Sequence, residues 1–221
     1  MATSIFVYNL TPSTPKLAAD IYRKLSNVPD DGPNYFNLQL LNENELFGEY
    51  VIVQTVEESF YNPIDRVFEK RKASKATIVS FAICNDRLEI WGNRTRANRL
   101  IFAISSATNN IFSINSVKIS IEKIINKLQA YKVKVSKVCF EDFLFSEDLV
   151  GNFTVDLSTY GDAFAVLKKY KEKIARMTVI LPCEGVSLKV TFSSKGAVMV
   201  YKTRDSFDDD MLDMLHAILL K

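Results

Sequence analysis

The sequence predicts an α+β protein of two pseudo-repeated halves, each a curved antiparallel sheet with helices packed on one face. Three observations predict it. Short segments such as Ile5–Asn9, Phe36–Leu41 and Thr77–Cys84 are β-rich, and several alternate apolar with polar residues. Between such segments stand amphipathic stretches, for example Ile121, Ile124, Ile125 and Leu128 on one helical stripe with Lys123 and Lys127 outside it. A plan of strand, tight turn, strand and helix occurs twice, at Ile78–Ala107 and at Ser187–Leu220. The halves are read as residues 1–110 and 111–221, joined in one compact unit.

In chain order, Ile5–Asn9 is a strand and Thr14–Asn27 a helix capped by Ser13 or Thr14, with Leu17, Ile21 and Leu25 at helical spacing. Pro29, Asp30-Asp31-Gly32 and Pro33 mark a turn. Phe36–Leu41 and Glu49–Phe60 follow as strands. Asn62–Lys75 reads as a polar, basic connection with a short helix near Ile64–Phe68. Thr77–Cys84, the turn Asn85-Asp86 and Arg87–Trp91 form a hairpin, and a helix runs from about Thr95 to Thr108. Ile111–Ile119 is a strand or a lead-in to the helix capped by Ser120. Lys132–Phe145 and Asn152–Leu157 are strands around Ser146-Glu-Asp148, and Gly161–Ile174 is a helix with Phe164, Leu167, Tyr170 and Ile174 inward. Met177–Cys183, Val186–Phe192 and Val198–Thr203 are strands. The last helix, Phe207–Leu220, opens on a capping box of Ser206 and Asp209.

The run Phe81-Ala-Ile-Cys-Asn-Asp-Arg-Leu-Glu-Ile-Trp-Gly92, followed by a helix, resembles the TATA-binding-protein-like fold. So does Thr191-Phe-Ser-Ser-Lys-Gly-Ala-Val-Met-Val-Tyr201 with the helix after it. In that family a hairpin leads into a long helix lying across a curved antiparallel sheet, and the resemblance implies that arrangement here. It implies no functional residue.

The charge is unevenly spread. Residues 1–65 hold 3 Lys/Arg and 9 Asp/Glu, residues 66–137 hold 15 and 4, and residues 138–221 hold 10 and 13. The whole-chain net of +2 hides a middle third of +11. Such a segment points to an acidic partner, of which a phosphate backbone is the commonest. At 48% hydrophobic and 24% charged, the composition is that of a globular protein with a real core. No stretch is long and apolar enough to span a bilayer, so no membrane partner is expected. Met1–Tyr8 lacks the pattern of a secretion signal, and Cys84, Cys139 and Cys183 form no CxxC pair, so a cytoplasmic location with reduced thiols is expected.

Enzyme signatures are missing. His216, the one histidine, sits in an amphipathic helix, where it reads as a boundary residue and not as a general base, which needs positioned partners. No HExxH, GxGxxG or GxxxxGK[ST] occurs, and the paired acids are explained by turns and caps. No catalytic residue, metal site or cofactor is expected. The candidate binding residues are Lys70, Arg71, Lys72 and Lys75 in the connection, Arg94, Arg96 and Arg99 at a helix start, and Lys132 and Lys134 on one face of a strand, with Val133, Val135 and Lys137 on the other. Arginines at a helix N-terminus oppose the macrodipole, a local cost that a bound anion would offset. Phe140, Phe143 and Phe145 occupy both strand parities, so either one is exposed or a bulge buries it. The expected function is non-catalytic binding of nucleic acid, DNA in preference to RNA. The alternative is an assembly subunit that binds an acidic protein surface or forms a homodimer or larger assembly.

Overall fold

The computed structural model describes residues 3–30, 32–117, 119–131, 133–146, 149–183, 186–202 and 209–220. Among them are eleven strands in a large antiparallel sheet and five α-helices. The order is β1 (Thr3–Thr11), α1 (Leu17–Leu25), β2 (Asn34–Asn42), β3 (Glu45–Asn62), β4 (Val67–Cys84), β5 (Arg87–Trp91), α2 (Arg94–Ala107) and β6 (Ser113–Ser116). Then come α3 (Ile121–Leu128), β7 (Lys134–Ser146), β8 (Leu149–Asp156), α4 (Ala163–Lys169), β9 (Ile174–Cys183), β10 (Val186–Ser193), β11 (Ala197–Val200) and α5 (Asp209–Leu220). The chain divides into an N-terminal unit, Tyr8–Asn115, and a C-terminal unit, Met1–Val7 with Ser116–Lys221.

In the N-terminal unit the strand order is β2-β3-β4-β5-β1. Leu46, Tyr50, Val79, Phe81, Ile83, Leu88 and Ile90 are buried, as are Leu17, Ala18 and Ile21 of α1 and Ala97, Leu100 and Ile104 of α2. Gly48 is required where it stands, because a Cβ there would meet Phe81 Cζ at 2.4 Å. The predicted cap of α1 is not made. Pro15 disfavours helical backbone at Thr14, so the helix opens three residues later, at Leu17, with Lys16 at the cap position and no side-chain cap bond.

The connection predicted between Asn62 and Lys75 is strand. β3 and β4 pair over 18 residues each, from Glu45↔Cys84 to Asn62↔Val67. β2 accompanies β3 only as far as Ile52, and β5 accompanies β4 only from Ser80. Beyond those limits Gln54–Asn62 and Val67–Lys75 form a two-stranded arm about 30 Å long. At its end the Asn62 side chain accepts the Ile64 amide at 3.0 Å and Arg66 turns the chain at φ 55°. This asparagine-anchored turn replaces the short helix expected at Ile64–Phe68.

In the C-terminal unit β1 continues into β11-β10-β9-β7-β8. One side of these strands is core: Val135, Val138, Met177, Val179, Leu181, Leu188, Val190, Phe192, Val198 and Val200 are all buried. Ile124, Ile125, Leu128, Leu167, Met211, Leu215 and Ile218 supply the helical half of that core. Ser120 caps α3 as predicted, accepting the Lys123 amide at 3.3 Å. The helix predicted over Gly161–Ile174 is shorter. Asp162 caps it, it ends at Lys169, and a 3-10 turn at Lys171–Lys173 releases Ile174 to pair with Phe140. The capping box at Ser206 falls outside the described residues.

Two bulges decide which side chains of β7 face where. The register with β9 slips between Val135 and Lys137, so Ser136 is passed over, and parity reverses. A second slip against β8 between Phe140 and Phe143, with Asp142 at φ 51°, brings both rings to one side. There they meet Phe153 at 5.2 and 4.9 Å and Tyr170 at 5.8 and 5.4 Å. A bulge, then, gathers Phe140 and Phe143; the side chain of Phe145 lies outside the described residues.

Candidate nucleic-acid interface

Within the N-terminal unit the predicted basic residues fall on two separate elements, β4 and α2. Lys70, Arg71, Lys72 and Lys75 lie on β4 in the arm, not in a loop, and side chains alternate between its two faces. Register puts Lys70 and Lys72 on one face, opposite Ser59 and Glu57. It puts Arg71 and Lys75 on the other, opposite Glu58 and Gln54. Acids of β3, and Glu69 of β4 itself, meet these bases directly. Lys75 pairs with Glu58, Lys70 Nζ stands 3.9 Å from Glu57, and Arg71 lies 3.0 Å from Glu69. Hydrogen bonds from Asn62 and Arg71 hold the Glu69 carboxyl below its ordinary pKa. With Arg66 and Asp65 the arm holds five bases and four acids, so it is nearly neutral.

The α2 arginines also diverge. Asn93 caps the helix, accepting the Arg96 amide at 2.9 Å, and no acid occupies the first turn. Arg94 acts on Tyr8, opposing the rise that burial gives that phenol; Arg99 acts in the same way on Tyr50. Arg99 lines a groove of about 670 Å³ at the root of the arm, with Pro33, Tyr50, Ile52, Gln54 and Phe102 among its walls. Arg96 and Arg99 close no ion pair among the described residues.

A continuous basic surface lies elsewhere, on the side of the C-terminal strands opposite the core. Three rows define it. The first runs Asp156, Lys137, Thr178, Thr191, Met199 and Ser4 across β8, β7, β9, β10, β11 and β1. The second runs Lys134, Ile180 and Lys189, and Lys189 Nζ stands 5.0 Å over the Tyr201 ring. The third runs Thr154, Cys139, Arg176 and Ser193. Strands sit about 4.8 Å apart, so Lys134 and Lys189 are about 10 Å apart at their backbones. Lys134, Lys137, Arg176 and Lys189 are exposed, and none closes an ion pair among the described residues. Between them the Thr178 and Thr191 hydroxyls bond to each other at 2.8 Å. The carboxylate at the edge, Asp156, is held below its ordinary pKa first by the Ser158 hydroxyl and amide, then by Lys137 and Lys134.

Of the sequence candidates, Lys134 is on this face and Lys132 lies outside the described residues. Lys137, expected on the opposite face, joins Lys134 because of the bulge at Ser136. Arg176 and Lys189 were missed, since they fall in the acidic last third of the chain. The alternation Arg176-x-Thr178 and Lys189-x-Thr191 between buried Met177, Val179 and Val190 was the available signal. Among the described residues, no group of three or more His, Cys, Asp or Glu is placed to hold a metal, and no helix is long and apolar enough to cross a membrane. No protein-family model matches the chain, and no curated protein matches it.

Proposed function

We propose that this chain is a non-catalytic nucleic-acid-binding protein and that the open sheet face of its C-terminal unit is the contact surface. The observation that carries the proposal is the array of Lys134, Lys137, Arg176 and Lys189, with Asp156 the one carboxylate among the described residues of those three rows. Bases spread over about 5–10 Å suit an extended polyanion better than one small anion. Hydroxyls between them supply neutral donors for phosphate oxygens, and Tyr201, held beneath Lys189, offers a face for a base or sugar. Duplex DNA is the first ligand of this reading, and phosphate contact is its main source of affinity. Arg94 and Arg96 add positive charge at the start of α2.

The fold reading that accompanies the proposal is a duplicated, TATA-binding-protein-like chain. Its support is that β4, β5 and α2 repeat in the order of β10, β11 and α5, each a pair of antiparallel neighbours followed by a helix.

Fluorescence-anisotropy titration with duplex DNA, single-stranded DNA and RNA across a salt series tests the function. Three proteins are compared: the native chain, Lys134→Glu/Arg176→Glu/Lys189→Glu, and Arg94→Glu/Arg96→Glu/Arg99→Glu. Salt-sensitive binding lost in the first variant and largely kept in the second is the expected result. Absence of binding to all three ligands at low salt would sink the proposal. Loss only in the α2 variant would move the surface to the N-terminal unit.

A further inference from the structure

Nucleic-acid binding by the C-terminal face leaves the arm unexplained. Its bases are matched by acids, yet its end is apolar and bare: Ile64 is 89% exposed, Phe68 73% and Tyr61 55%. Tyr61 and Phe68 lie against each other on one face of the ribbon, ring centroids 5.4 Å apart and planes tilted by 55°. Both long edges of the arm lack a strand partner among the described residues. A two-stranded ribbon alone is marginally stable in water, and open edges with apolar patches mark sites of association.

The same unit carries a receptor for such a tip. The groove at the arm's root is walled by Pro33, Tyr50, Ile52 and Phe102, and Phe102 on α2 is itself 76% exposed. At about 670 Å³ it has room for several side chains. Among its described wall residues Arg99 alone is charged, and the tip carries Asp65, whose carboxylate accepts a bond from Asn62 at 2.9 Å. Arg66 stays outside in this arrangement, because no acid stands among the described wall residues to receive it.

We propose that two copies of this chain form a two-fold dimer by exchanging arms, with Tyr61, Ile64 and Phe68 of each copy seated in the α2–β3 groove of the other. The geometry closes on itself. Because the groove lies at the root of the arm, two arms lying antiparallel bring each tip to the other's groove. One contact generates its symmetric mate, the isologous form that most homodimers take. Asp65 then faces Arg99 twice, while the near-neutral flanks of the arms lie alongside without a clash of net charge. A nucleic acid is a poorer occupant, since the tip itself is apolar and the arm holds almost no net positive charge.

Sedimentation equilibrium of the full chain tests this, with far-UV circular dichroism to confirm that each variant folds. The native chain is expected to dimerise reversibly, with a dissociation constant of about 1–10 µM. Ile64→Ser/Phe68→Ser at the exposed tip should raise that constant by about a hundredfold. Asp65→Lys and Arg99→Asp should each weaken the dimer, and the double variant Asp65→Lys/Arg99→Asp should recover it, which a merely structural role would not produce. A native chain that stays monomeric throughout, a dimer indifferent to the tip substitutions, or a double variant no better than the singles would overturn the proposal. So would a monomer whose tip variant loses DNA binding, which would assign the arm to nucleic acid.

Discussion

The arm of the N-terminal unit and the open face of the C-terminal sheet are both rich in Lys and Arg, and folding treats them oppositely. On the arm, β3 lays Glu57 and Glu58 against the bases of β4, and the two strands cancel. On the C-terminal face, the cross-strand neighbours of Lys134 and Arg176 are Ile180 and Cys139, and Lys137 meets Thr178 on one side and Asp156 on the other. Charge counted along a chain therefore says little about the field at a surface. What decides it is which residues the register puts opposite one another.

The largest contrast between the regions is in what their aromatic residues do for the fold. Phe192 lies on the core side of β10 and is completely buried, whereas Phe68 at the arm tip is 73% exposed. Phe192→Ala should cost about 3–5 kcal/mol in urea unfolding, because apolar surface is no longer buried and a cavity is left behind. Phe68→Ala should cost under about 0.5 kcal/mol in the same measurement made on the monomer. A comparable loss at both positions would mean that the tip is part of the core and not free for a partner.

The next contrast is in binding. Lys134→Ala/Arg176→Ala/Lys189→Ala should weaken duplex DNA binding by about a hundredfold at moderate salt. It should also flatten the dependence of log K on log salt by about 0.9 for each phosphate no longer neutralised. Lys70→Ala/Lys72→Ala should change affinity less than about threefold, because Glu57 already occupies their neighbourhood. Equal losses from the two sets would break the comparison, since the arm would then act as a cation despite its paired acids.

Much of the fold was legible because it rests on local signals. Ser120 before an apolar stripe, Asn85-Asp86 between two apolar runs and the β-rich, mostly apolar run Thr77–Cys84 each set one element by short-range chemistry. Only half of the arm was legible: Glu49–Phe60 reads as strand, but its partner Val67–Lys75 does not, because most of its residues are polar on both faces and show no buried side to set a period. Its turn residues, Asn62-Pro63, look the same at the end of a hairpin as at the start of a loop. The basic face of the C-terminal sheet was misread for two physical reasons. A bulge at Ser136 reversed the parity of Lys137, and a bulge leaves no mark in the hydrophobic pattern. Arg176 and Lys189 were hidden by a charge window that averages over both faces of a strand and over helices behind them. A boundary at residue 65 also separated Glu57 and Glu58 from the bases they neutralise.

A smaller effect sharpens the account of the arm. Glu58 is paired with Lys75 and sits opposite Arg71. Its side chain is partly shielded, so Glu58→Ala should lower stability by about 0.2–1 kcal/mol at low salt, and the loss should shrink as salt rises. The same substitution removes the acid paired with Lys75, while Arg71 keeps Glu69, and should slightly raise DNA affinity. A fall in affinity would show that the acid positions the arm for the ligand.

The smallest effects are read from two reporters that sense fields of opposite sign. In the N-terminal unit the Cys84 thiol is pushed above its ordinary pKa, first by desolvation and then by Glu45 and Glu89. It should therefore react with iodoacetamide more slowly than a free thiol at pH 8, and Glu45→Gln should speed it up. In the C-terminal unit Asp156 is held low, first by Ser158 and then by Lys137 and Lys134. A carboxyl whose folded pKa is depressed stabilises the fold at pH values above its unfolded pKa. That contribution is lost as pH falls through the folded pKa, so it disappears only below the ordinary carboxylate range. Side-chain carboxyl NMR should show Asp156 titrating below that range. Ser158→Ala should produce the larger rise and Lys134→Ala a smaller one. Bound DNA places phosphates beside Lys137 and Lys134 and offsets their pull on Asp156, so its titration should move upward in the complex. A carboxyl that titrates identically with and without DNA would place the ligand off this face.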